Sequence, residues 1–161
     1  MIKSFMKSTK VHNKIDVFII TTLVLFLIPL NCIKAIDNSS ERGKLLVRIT
    51  GFENNKGDCW FALDRLEEVY ESDDSVFIGK ILPIINREVI ISIDSLEYGN
   101  YAIKVFHDEN SNGELDSNIL GIPTEGYGFS NNASSWFGPP SWEKAKFLID
   151  QKEVILEILV D

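Results

Sequence analysis

Asp108, Asn110, Asn112 and Asp116 stand at positions one, three, five and nine of one acidic stretch, DENSNGELD. Gly113 occupies position six, where a calcium loop turns sharply, and Glu114 at position seven would offer its backbone carbonyl. A curled loop aims alternate side chains at one centre, and a hard cation takes several oxygens at about 2.3–2.6 Å. The spacing therefore predicts a Ca²⁺-type site built from Asp108, Asn110, Asn112, Glu114 and Asp116. Position twelve is Ile119 rather than a bidentate glutamate, and the segment before the loop has no helical period. Any ion is thus expected to bind weakly, with Kd on the order of 10⁻⁴ to 10⁻³ M. The same residues also suit an Asx-rich turn held by its own hydrogen bonds, with no ion.

Other chemistry is sparse. His107 is the one histidine outside the first forty residues, which excludes a multi-histidine metal centre within the chain. A hydrolase using His107 with Asp108 or Asp116 lacks a nucleophile, and no G-x-S-x-G or phosphate-binding loop occurs. A hydrogen-bonded structural histidine and a non-enzymatic protein are expected. Cys59 reads as a small buried strand residue. Between Leu120 and Trp142 lies a long Gly- and Pro-containing connection with Tyr127, Phe129, Trp136, Phe137 and Trp142. Connections of this length are functional or fold into a cover. Its aromatics either cap the end of the fold or stack on a ligand such as a sugar, with Tyr127, Trp136, Phe137 and Trp142 as the candidates.

These residues need a frame, and alternation supplies one. Tyr101, Ile103, Val105 and His107 share one face of a predicted strand that runs straight into the acidic loop. Leu96 to Gly99 before it has the form of a turn, with Gly99 free to take positive φ. Further strands are predicted at Lys44–Thr50, Cys59–Asp64, Val76–Ile85, Glu88–Asp94, Lys144–Ile149 and Val154–Val160. Pro83 suggests a strand end or edge. Arg65–Asp74 is polar and reads as a loop with room for one helical turn. About seven short strands separated by turns predict an all-β chain, an antiparallel β-sandwich of transthyretin-like or Ig-like kind.

Ahead of this body, Lys3, Lys7, Lys10 and Lys14 precede an apolar run, Val17 to Leu30. The run is short for a membrane span and right for a secretory signal. The expected division is a signal peptide over 1–35, a polar lead-in over 36–43 and one domain over 44–161. A lipid on Cys32 and an uncleaved N-terminal anchor are the alternatives, and either would hold the protein at a membrane. Asn38-Ser39-Ser40 and Asn132-Ala133-Ser134 match the glycosylation pattern, relevant only to a eukaryotic secretory path. The formal charge of −8 argues against nucleic acid, since nothing would neutralise phosphates. Periplasmic or extracellular residence follows, with an envelope protein or a glycan as the partner.

The strings Val105-Phe106-His107-Asp108-Glu109-Asn110, Gly121-Ile122-Pro123, Glu125-Gly126-Tyr127-Gly128-Phe129-Ser130 and Phe137-Gly138-Pro139-Pro140 occur together at preserved spacing. In this the chain, over about Lys44 to Asp161, resembles a bacterial family known as domain of unknown function 2141. The resemblance implies a small exported β domain and brings no activity with it. Leu96, Gly99 and Tyr101 also resemble the corresponding turn of transthyretin-like and carboxypeptidase-regulatory-like modules, which are accessory β-sandwiches. The proline often found before that glycine is missing here.

Overall fold

The computed structural model describes residues 41–72 and 75–161. The predicted signal segment, Cys32 and most of the lead-in lie outside the described residues. Eight strands run in the order β1 (Arg42–Thr50), β2 (Asp58–Asp64), β3 (Ile78–Pro83), β4 (Glu88–Glu97), β5 (Gly99–Asp108), β6 (Tyr127–Phe129), β7 (Phe147–Ile149) and β8 (Glu153–Leu159). Helix α1 (Glu67–Ser72) follows β2, and the single turn α2 (Trp142–Ala145) precedes β7. One sheet has the order β4-β1-β8; the other has the order β3-β2-β5-β6, with β7 pairing further along β5.

Alternation decides what each strand buries. Leu45, Val47 and Ile49 of β1, Val89, Ile91 and Ile93 of β4, and Ile158 of β8 turn inward from one sheet. Cys59, Phe61 and Leu63 of β2 and Tyr101, Ile103 and Val105 of β5 meet them from the other. Each such side chain contributes about 1.5–3 kcal/mol by leaving water, so this shared layer is what holds the two sheets together.

Four features depart from the sequence expectation, the first being that the strand predicted over Lys144–Ile149 begins only at Phe147, because Trp142–Ala145 closes a helical turn. Among the described residues there are eight strands rather than about seven, because Tyr127–Phe129 pairs with Lys104–Phe106. The sandwich is not wholly antiparallel, since β8 lies parallel to β1 with Leu45 opposite Val154 and Thr50 opposite Leu159. The chain changes sheets between β7 and β8, so no hairpin imposes the opposite direction. Finally, β1 already begins at Arg42, inside the expected lead-in over 36–43.

The turn at Leu96–Gly99 is a corner between sheets, not a hairpin, as β4 and β5 belong to different ones. Tyr98 donates its N–H to the Glu41 carbonyl at 2.9 Å, and the Tyr101 hydroxyl donates back to the Glu97 carbonyl at 2.7 Å. Both bonds hold the corner from which β5 departs toward the acidic loop.

Cys59 is fully buried on β2. Burial pushes its thiol up to about 12, with Asp58 adding to the shift, so the nucleophilic thiolate is scarce at neutral pH. In a Cys32→Ser background, Cys59 is expected to resist an alkylating reagent in the native protein and to react promptly in denaturant. Mass spectrometry of the alkylated chain checks this, and rapid native labelling would show an opening that burial does not allow.

Candidate functional site: the acidic loop and its brackets

β5 ends at Asp108, whose side chain is only 1 % exposed. Its Oδ1 accepts the N–H of Asn112 at 3.0 Å, while its Oδ2 accepts that of Gly113 at 2.9 Å. The Trp60 indole N–H, from the neighbouring strand, also donates to Oδ2 at 2.9 Å. A carboxylate that accepts several N–H bonds is well satisfied without a basic partner. Gly113 takes φ +85°, a value that glycine adopts without a Cβ clash, and so turns its amide back to Asp108.

The rest of the loop repeats the pattern. Asn110 Oδ1 accepts the N–H of Asn112 at 2.9 Å, and Asn112 Oδ1 accepts that of Glu114 at 2.8 Å. Each is an asparagine curling the chain two residues ahead. The remaining ends of both side chains meet at Asp116, where the Nδ2 groups of Asn110 and Asn112 donate to its two carboxylate oxygens at 2.5 and 3.1 Å. Asn110, Asn112 and Asp116 are thus joined through their side chains, and Asp108 reaches them through the backbone amides of Asn112 and Gly113. Glu114 is exposed, and its amide is used within the turn.

Outside the loop sits a residue that spacing did not reveal. Glu125 is 8 % exposed and spans the loop from behind. One oxygen accepts the N–H of Glu109 at 2.9 Å and the other accepts that of Asp116 at 3.0 Å. Thr124 adds an N–H to the Asp116 carbonyl at 2.8 Å. The two ends of the acidic stretch are thus clamped by one carboxylate from the following segment. Its only signal in the sequence was an acidic residue in a Pro- and Gly-bounded run, IPTEGYG.

The loop between β1 and β2, which crosses from one sheet to the other and is not the hairpin that its turn-rich sequence suggests, braces the other side. Asn54 Nδ2 donates to Glu109 at 3.0 Å. Gly57, at φ +65°, lies so close that a Cβ there would fall 1.8 Å from the Asp108 carbonyl oxygen. His107 is 1 % exposed and its Nε2 donates to the Lys56 carbonyl at 2.8 Å, with its ring edge-on to Phe52. A carbonyl only accepts, so the proton is on Nε2. Nδ1 is 3.8 Å from a Glu109 oxygen. Neither Asp108 nor Asp116 bonds to this histidine among the described residues, so the His–carboxylate pairing weighed for a hydrolase is absent there.

A cation would meet a mixed donor set. Among the described residues no group of three or more His, Cys, Asp or Glu gathers as a metal cluster. Asp108 and Asp116 are the carboxylates of the loop's inner positions; the asparagine oxygens and the Glu114 carbonyl would have to complete the shell. At Asp116 the donors are the two neutral side-chain amides, which an ion would have to displace. Oxygen-only donors of low total charge fit a weakly held Ca²⁺ and do not fit a softer metal.

The aromatic connection divides. Residues 117–126 stay with the acidic loop through Thr124 and Glu125, and curl on themselves at Asn118, whose side chain accepts the N–H groups of Leu120 and Ile122. Residues 133–142 go instead to α1, where the Tyr70 hydroxyl donates to the Pro140 carbonyl at 3.1 Å. Trp142 is only 6 % exposed and packs edge-on against Tyr70, so it presents no face to a ligand. It caps a second small core with Ala102, Phe129 and Ala145. Trp136 and Phe137 are the reverse, 96 % and 92 % exposed. Tyr127 is half-buried, edge-on to Phe129.

A bacterial family model described as "Uncharacterized protein conserved in bacteria (DUF2141)" matches residues 47–157. No curated protein and no solved structure matches the chain.

Proposed function

The chain belongs to the DUF2141 family, and on that premise we propose that it is an exported, non-enzymatic β-sandwich module of the bacterial envelope. Its acidic loop holds a weak Ca²⁺ that stiffens one end of the sandwich, and that end meets an envelope protein or a glycan. The basic, then apolar, first thirty residues support export. The observation that carries the reading is the clamp on the acidic stretch. Asp108 and Glu125 shape the loop through backbone amides, which leaves the side chains at 110, 112 and 116 grouped around one centre. The buried His107, spent on a backbone carbonyl, supports a binding rather than a catalytic role.

A ligand that binds only the folded state adds RT ln(1 + [L]/Kd), which is about 1.4 kcal/mol at a tenfold excess over Kd. Several millimolar Ca²⁺ is therefore expected to raise the thermal midpoint of the full chain by about 3–8 °C over chelator. Mg²⁺ at equal concentration is expected to do less, because it loses water reluctantly and wants stricter geometry. Identical melts in Ca²⁺ and chelator would remove the ion from the account.

A second reading, carbohydrate binding, draws on Trp136 and Phe137. Two large rings in water on a Gly-Pro-Pro loop are the kind of surface that stacks on sugar faces. Retention on immobilised glycans that disappears in Trp136→Ala would favour it over a protein partner.

A further inference from the structure

The outer face of the five-stranded sheet is only half covered. At one end α1 and α2 seal it, with Tyr70, Trp142 and Ala145 over Ala102 and Phe129. Toward the acidic loop no helix of the described residues follows, and a groove of about 430 Å³ remains. Its floor is Trp60, Ala62, Phe106, Tyr127 and Phe129. The register explains the composition, since Trp60 pairs with Phe106, Phe106 with Tyr127 and Lys104 with Phe129, all on the face away from the main core. Trp60 and Phe106 are stacked, with centroids 5.6 Å apart and planes 14° from parallel. Leu115 of the acidic loop and Pro139 of the aromatic connection contribute to its walls.

We propose that this groove is a binding site for an uncharged, planar aromatic small molecule, distinct from the calcium reading and not dependent on it. Its volume lies within the range of about 300–1,000 Å³ typical of small-molecule sites. Two of the polar groups that reach it are already used inside the protein. The Trp60 indole N–H is spent on Asp108. The Lys104 ammonium donates to the Tyr70 carbonyl at 2.5 Å and sits 4.5 Å above the Tyr70 ring. An anionic ligand would have to compete for that lysine, leaving only Lys80 of the edge strand β3 as a cation on the lining, and a sugar would find few hydrogen-bond partners beyond Lys80 and the Tyr127 hydroxyl. An extended peptide would find none along the floor's backbone, because on a sheet face those groups are consumed by the ladder. What the groove offers is ring surface, and four aromatic side chains favour offset or edge contact with another ring.

The test uses 1-N-phenylnaphthylamine, a neutral aromatic fluorophore, titrated into the full chain and followed by its emission. Saturable binding at one site is expected, and competition by neutral bicyclic aromatics but not by decanol or maltotriose. Ala62→Trp fills the floor without removing any packed side chain and is expected to weaken binding about tenfold or more. Phe106→Leu keeps apolar area but deletes the ring, and an approximately fivefold loss is expected from the aromatic contact alone. The N-terminal apolar run is common to all three chains, so differences between them report the groove. Equal affinity in the wild type and in the variants that fold overturns the proposal, and so does displacement by decanol as effective as by an aromatic competitor. Ca²⁺ addition is run in parallel: a calcium-dependent melt with no groove binding would sink this inference and leave the acidic-loop reading standing.

Discussion

Asp108→Ala is expected to lower the thermal midpoint by about 10–15 °C, the largest effect of any single side-chain truncation in the loop. The carboxylate is buried and receives three N–H groups. Asn112 N–H has Asn110 as a second acceptor, so its loss is partial. The N–H of Gly113 and the indole of Trp60 have no such alternative among the described residues, and each stranded donor costs about 1–3 kcal/mol. Asp108→Asn retains one acceptor oxygen and is expected to lose about half as much. Both variants are expected to melt at the same temperature with and without Ca²⁺. Differential scanning calorimetry on the three chains checks the order wild type, Asn, Ala. If Asp108→Ala melts like the wild type, the loop is not held through this carboxylate.

Gly57→Ala is expected to cost about 2–4 kcal/mol, although it adds a single methyl group to a half-exposed loop. Two terms act together. The residue sits at φ +65°, where an L side chain is disfavoured. Its Cβ would fall 1.8 Å from the Asp108 carbonyl oxygen, a backbone atom with no rotamer to escape into. Relief requires the β1–β2 loop and the acidic loop to separate, which also pulls the Lys56 carbonyl from His107 and Asn54 from Glu109. Chemical denaturation measures the loss, and the Nε2–H resonance of His107 reports whether its bond to Lys56 survives. Wild-type stability would show that the two loops are not in this contact.

Much of this was legible from residue order. The inward face of β5 is Tyr101, Ile103, Val105 and His107, as period-two alternation requires, because one face of each sheet is buried. The Asx pattern at 110 and 112 was also readable, since those side chains act only two residues away. What distance hides is the rest. Glu125 clamps amides nine and sixteen residues upstream, from a segment with no period to flag it. β6 is three residues long with Gly128 at its centre, too short for alternation to register, and its pairing is fixed by β5 rather than by itself. The parallel seat of β8 depends on a change of sheet, which no local residue announces. Trp142 and Trp136 look alike in sequence, and only the docking of 140–142 on Tyr70 separates the buried ring from the exposed one.

Trp60 makes the central claim directly measurable, because its indole bonds to the loop's first carboxylate and its ring lies beside Gly113. Tb³⁺ takes oxygen sites suited to Ca²⁺ and emits when a nearby tryptophan is excited. Titrating Tb³⁺ into the full chain should give saturable emission that millimolar Ca²⁺ removes, that falls sharply in Trp60→Phe and that vanishes in Asp116→Ala. Emission that is absent, or that persists unchanged in Trp60→Phe and Asp116→Ala together, would place any bound cation away from residues 108–116.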